Sequence, residues 1–200
     1  MNRIKTIVFI LIVVIFLSVI GYPYLNNFIS KDSNMAKKIN VTKGEYVVGK
    51  DINQGLYDIE VIGEEVRFMQ RQLSDRSKIL GIKLNTGEKV MIVGEGKVNM
   101  SPASFNKINL KSDKYEINHS GFYNVGLQIP AGNFILSYSG NVEKEKPFVQ
   151  VLSSKRNIIK TYDFTNKKAY EITLKENEIL EVNKFLFYES ESLIITLETK

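Results

Sequence analysis

Few side chains in this chain are suited to chemistry. Its 200 residues contain no cysteine and one histidine. Without cysteine there is no disulfide framework, thiolate metal site, cysteine nucleophile or lipidated cysteine. The lone histidine, His119, excludes a multi-histidine metal site and leaves little room for imidazole acid–base work. A nucleophilic triad brings Ser, His and an acid together from separate places in the chain, whereas Ser120 is merely adjacent to His119, which reads as a linker or surface histidine. Acid pairs occur at Glu64/Glu65, Glu176/Glu178 and Glu189/Glu191. Glycoside hydrolysis needs two carboxylates facing each other across a cleft, about 5–10 Å apart. Glu88 and Glu178 instead stand beside turn sequences, where acids are solvated. Neither Lys50-Asp51 nor Lys111-Ser112-Asp113 makes a calcium-type loop. Gly44 to Asp51 has the glycine spacing and lysine of a phosphate loop. Asp51, however, replaces the required Ser/Thr, and strand patterns flank the segment. The expectation is a chain without catalytic residues, metal or cofactor.

Binding residues are the remaining possibility. Lys and Arg total 27 against 22 acids, a net charge of +5. Lys37-Lys38, Lys155-Arg156, Lys167-Lys168 and the loose group Arg67, Arg71 and Arg76 would suit an anionic polymer, but the excess is small enough for an ordinary solvated surface. Tyr162, Phe164 and Tyr170, if exposed, would form a stacking or docking surface for a sugar or protein. With Lys155 and Arg156 they are the ligand-binding candidates.

The elements that carry these residues begin with an export signal. Arg3 and Lys5 precede an apolar run from Ile7 to Ile20, broken only by Ser18. A short basic region before an apolar core is the order of a secretory signal. Extended over residues 6–25, the stretch has the roughly 20 residues needed to span a bilayer. Tyr22 and Tyr24 suit a membrane interface and favour a retained anchor with its N-terminus inside; the alternative is a signal cleaved after Gly21. Either places the remainder outside the cytoplasm, so the accessible partners are the membrane, a cell-wall polymer such as teichoic acid, anionic lipid headgroups or an envelope protein, and not nucleic acid. Residues 26–42, rich in Ser, Asn, Lys and Asp, read as a tether.

An internal repeat organises the remainder of the chain. Gly44, Tyr46, Val48, Gly49, Ile52, Gly55 and Tyr57 match Gly121, Tyr123, Val125, Gly126, Ile129, Gly132 and Phe134 at one constant offset. A second match relates Ile82–Ile92 to Ile172–Val182 at a longer offset, so the second copy carries extra residues, expected between Asn141 and Lys168. Tyr46/Val48 and Tyr57/Ile59/Val61 alternate with the period of strands that bury one face, which turns Asp58 and Glu60 towards water. Asn53-Gln54-Gly55 and Pro130-Ala131-Gly132 suit three-residue hairpin turns, with Gly49 and Gly126 allowing a bend before them. Residues 64–80 have some helical spacing, but their counterpart Phe148–Leu152 reads as strand, and strand is expected for both. Leu193–Leu197 reads as a closing strand. The predicted fold is all-β: a module at 43–103, a linker at 104–118 and a second module at 119–200. Each would be a small sandwich or partly open barrel, or the two would pack as halves of one duplicated sandwich.

The two G-x-Y-x-V-G-x-x-I-x-x-G-x-[YF] segments resemble the G-x-Y-x-V-G-x-D-I-P-A-G-x-Y repeat of exported proteins and lipoproteins from Gram-positive bacteria. The first copy departs from it at Asn53-Gln54, the second at Gln128 and Phe134. The resemblance implies extracytoplasmic β modules; it names a building block and carries no catalytic residues. The expected function is a non-catalytic binding or adaptor module of the cell envelope. The alternatives are a carboxylate-dependent hydrolase of envelope polysaccharide and a structural subunit of a membrane complex.

Overall fold

The computed structural model describes residues 34–140, 146–184 and 193–200. The expected anchor over 1–25 and the first part of the tether lie outside them. The described residues are all-β and contain no helix. Residues Ala36–Lys200 form one compact unit.

The first copy contributes six strands: β1 (Ile39–Val47), β2 (Gly55–Ile62), β3 (Val66–Phe68), β4 (Arg71–Leu73), β5 (Lys78–Leu84) and β6 (Lys89–Pro102). The 14-residue β6 pairs with β1 in two stretches. Ile39–Thr42 lie opposite Met100–Lys97 and Gly44–Val47 opposite Ile92–Lys89, with a register shift between Thr42 and Gly44. Gly94 and Gly96 fall in the interval that β1 skips. A Cβ on Gly94 would stand 2.4 Å from the Glu65 carbonyl oxygen, so only glycine admits that approach. Two layers result. One runs β5, β2, second half of β6, first half of β1; the other runs second half of β1, first half of β6, β3, β4. Tyr57, Val61, Phe68, Val90 and Met100 are buried in the first core.

The second copy repeats the plan with β8 (Lys114–Ile117), β9 (Ser120–Asn124), β10 (Gly132–Ser139), β11 (Phe148–Leu152), β12 (Ile158–Asp163), β13 (Ala169–Leu174), β14 (Ile179–Asn183) and β15 (Ile194–Thr199), preceded by the short β7 (Leu110–Lys111). Its layers run β13, β10, β15, β8 and β9, β14, β11, β12. This is the same order strand for strand, with β14 and β15 standing where the two halves of β6 stand. Tyr123, Phe134, Val149, Leu180 and Ile195 belong to its own core. The two copies join where β9 pairs in parallel with β5, Ile79 opposite Ser120 and Leu80 opposite Gly121, which completes a ten-stranded sheet beside a five-stranded one.

Several expectations change. The two halves of each motif do not pair as a hairpin: β1 pairs with β6, whereas β2 lies between β5 and β6, and β9 and β10 belong to different sheets. The intervening segment is a compact loop that turns two apolar residues inward in each copy, while Leu127 of the second copy is exposed. Val48 and Ile52 form a parallel bridge and are each 1% exposed, and Val125 and Ile129 repeat the bridge. The loop therefore closes the end of the core while the chain crosses between layers. The folded region starts before residue 43, because Ala36 and Val41 are buried in the first core. Residues 104–118 likewise carry β7 and β8, with Ile117 in the second core, since β8 is the counterpart of the first half of β1. The strand at 194–199 is interior, between β10 and β8. Part of the added length of the second copy goes into a longer hairpin: β11 and β12 have 5 and 6 residues where β3 and β4 have 3 each.

Candidate functional site: the cleft between the two copies

The polar residues that recur in both copies hold the module's own turns. The Glu88 carboxylate accepts the Asn85 N–H at 2.9 Å and the Asn85 side-chain amide at 2.6 Å. Its counterpart Glu178 accepts the Lys175 N–H at 2.8 Å. Asp51 accepts the Val47 N–H at 2.8 Å, and Gln128, which replaces it in the second copy, accepts the Asn124 N–H at 3.0 Å. The hydroxyls of Tyr46 and Tyr123 donate to the carbonyls of Thr42 and His119 at 3.0 and 2.6 Å. Gly49 and Gly126 share a φ of +91°, and their N–H groups donate to the Ile52 and Ile129 carbonyls. These residues satisfy backbone groups that a tight loop would otherwise leave unpaired.

The sequence-derived ligand candidates are placed differently from one another. Tyr162 and Phe164 are 4% and 2% exposed and belong to the second core. Tyr170 packs edge-on against both rings, at 5.4 and 5.3 Å, and its hydroxyl donates to the Asp163 carbonyl. Tyr162 and Phe164 therefore offer no open face for stacking, whereas Tyr170 is half-buried beside them. Lys155 is exposed at the turn of the β11–β12 hairpin. Arg156 points into the junction between the copies: its guanidinium donates to the Gly81 carbonyl at 3.0 Å and lies 4.5 Å over the Phe122 ring. Burial holds Arg156 below its ordinary pKa, and the charge of Glu181 partly offsets this. A second bond across the junction runs from Arg71 to the Asn183 side-chain oxygen at 2.6 Å.

Where the copies meet, a cleft of about 580 Å³ opens between β2, β5 and the second half of β6 on one side and residues 104–108, β8 and His119 on the other. Asp58, expected to face water, lines it with both oxygens engaged. One accepts the Gly81 N–H at 2.9 Å; the other accepts the Ser104 N–H and hydroxyl at 2.9 and 3.0 Å. The bulge between Tyr57 and Ile59 in the β2–β5 pairing lets Asp58 reach the junction. Glu60 pairs with Lys78 at 3.5 Å. Lys38, Lys107 and Glu116 are exposed at the cleft, His119 is half-buried, and Asn99, Ser101 and Gln128 add neutral hydrogen-bonding groups. Such a cleft offers donors, acceptors and mobile charges to a polar ligand. Among the described residues no three His, Cys, Asp or Glu side chains gather as a metal site. The Asp163 carboxyl is held below its ordinary value by the Thr165 hydroxyl and N–H, and that of Glu171 by Lys200.

No family model, curated protein or solved structure matches this chain.

Proposed function

We propose that this chain is an extracytoplasmic binding or adaptor module of the bacterial cell envelope, membrane-anchored through residues 6–25 or secreted, and not an enzyme. The cleft between the copies carries the reading: it gathers hydrogen-bonding and charged side chains from both modules, while Asp58 is spent on holding Gly81 and Ser104. The ligand class is a polar or anionic envelope component, and Lys38 and Lys107 are the cations that would meet it. The hydrolase reading retains one supporting observation, since Glu60 and Glu116 reach the same cleft from different strands.

One experiment separates the two. Detergent-solubilised full-length protein is immobilised and exposed to wall polysaccharide, anionic wall polymer and membrane extract. Retention of one fraction, lost in the Lys38→Glu/Lys107→Glu variant, supports binding. Release of soluble sugar fragments that stops in Glu116→Gln would replace the proposal with the hydrolase. No retention of any fraction would overturn it.

A further inference from the structure

Among the described residues the duplication leaves two strand edges unpaired, and they correspond to the two edges already mated inside the chain. Within the chain, β5 of the first copy pairs in parallel with β9 of the second. In the second copy β13 occupies the place of β5: it ends the five-stranded sheet and among the described residues pairs only with β10. In the first copy the second half of β1 occupies the place of β9, and among the described residues β1 pairs only with β6. An unpaired edge presents a row of backbone donors and acceptors that a further strand can use; on the receiving edge that row starts after Thr42, whose N–H and carbonyl are bonded to the Tyr46 hydroxyl, as the matching His119 carbonyl is to Tyr123.

The receiving edge also has room. A Cβ on Gly121 would stand 2.5 Å from the Leu80 carbonyl oxygen, because Leu80 covers that glycine. Gly44 is the matching residue, with a φ of +159° against +150°. The nearest atoms to a Cβ there belong to the ring of its own Tyr46, at 3.4 Å, and no backbone of the described residues comes as close to Gly44 as Leu80 comes to Gly121. The offered edge is regular: β13 pairs with β10 without the bulge that kinks β5. Ala169, Glu171 and Thr173 along it are exposed, with Glu171 paired to Lys200 of its own chain at 2.7 Å.

We propose that β13 of one molecule pairs in parallel with residues 43–45 of a second copy of this chain, repeating the internal β5–β9 junction head to tail. Carrying the internal register across places Thr42 opposite Ala169, Lys43 opposite Tyr170 and Gly44 opposite Glu171. The contact is heterologous, so it does not close as a symmetric dimer and instead builds a ring or an open assembly of more than two copies. It is weaker than the internal junction, because the short β3–β4 hairpin stands where the Arg156-bearing hairpin clamps the internal one.

The cysteine-free chain permits a direct test. Thr42→Cys and Ala169→Cys, both at exposed positions, are introduced singly and together into the full-length protein in detergent. The proposal predicts that the folded double variant gives a ladder of disulfide-linked multimers under mild oxidation. A mixture of the single variants gives mixed dimers in several-fold excess over those of either alone. Circular dichroism matching the parent chain establishes that the variants are folded. A folded double variant that yields no ladder, or single variants that form as much dimer alone as when mixed, would overturn it.

Discussion

Gly121 is the position at which the joining of the two copies can be tested most sharply. Replacing it by alanine places a Cβ 2.5 Å from the Leu80 carbonyl oxygen and 2.7 Å from the Leu80 nitrogen, both backbone atoms that cannot swing aside. The residue also has a φ of +150°, a region that a side chain disfavours. A strained backbone dihedral costs about 1–3 kcal/mol, and forcing an extra carbon into a packed site costs about 1–3 kcal/mol more. Gly44→Ala is the internal control, since it has nearly the same backbone and, among the described residues, no strand paired on its outer side. The excess cost of Gly121→Ala over Gly44→Ala is therefore the second contribution alone. For a folded unit of this size each kcal/mol moves the melting point by about 2–4 °C, so Gly121→Ala should melt roughly 2–12 °C below Gly44→Ala. Thermal unfolding followed by circular dichroism reads this difference at protein concentrations low enough to keep the chains apart. Equal melting points would refute the reasoning, because they would mean that Leu80 does not bear on Gly121 in solution.

The hydrogen bonds lead to three more expected outcomes. Asp58→Ala removes the acceptor for three donors, and with charged acceptors worth about 1.5–3 kcal/mol each and not additive, it should cost about 2–4 kcal/mol by urea unfolding, whereas a purely solvated Asp58 would cost almost nothing. Tyr57→Phe removes the donor to the Asn53 carbonyl and the acceptor of the Lys37 N–H. It should cost about 1 kcal/mol without loss of fold, since Phe134 fills the same place in the second copy, and an unfolded variant would contradict that equivalence. Asp163 is held below its ordinary value by the Thr165 hydroxyl and N–H, so its contribution is present above the ordinary aspartate range near about 4 and fades as pH falls through the lower folded value. Asp163→Asn should therefore melt below the parent at neutral pH and converge with it on acidification; a gap that widens in acid would contradict this.

The duplication is legible in the sequence because the motif residues do the same work in both copies. Gly49 and Gly126 share one backbone geometry, and Glu88 and Glu178 cap equivalent turns. Alternation also locates most buried positions, Tyr57, Ile59 and Val61 among them. Strand partnership is not legible. Two strands joined by a short glycine-containing segment read as a hairpin, and only the burial of Val48 and Ile52 within that segment marks it as a crossover between layers. The first half of β1 and its counterpart β8 read as tether and linker because their polar residues face outward and the motif starts after them. Asp58 alternates correctly but lies beside a bulge, and a bulge has no period to betray it. The cleft combines residues from β2, β5 and β8, so no local spacing announces it, although the adjacency of the two copies is a hint. Arg156 stands out in the sequence by its charge, but its place against Gly81 and Phe122 depends on how β9 meets β5.

The central claim is that the repeat supplies a scaffold and that its function lies in the cleft where the two copies meet. Hydrogen–deuterium exchange of the full-length chain, alone and with each of wall polysaccharide, anionic wall polymer and membrane extract, tests this most directly. The account predicts slowed exchange concentrated at residues 58–60, 78–80, 104–108 and 116–119, with the outer edges unchanged. Protection confined to the β11–β12 hairpin and residues 158–170, with none at the cleft, would contradict it.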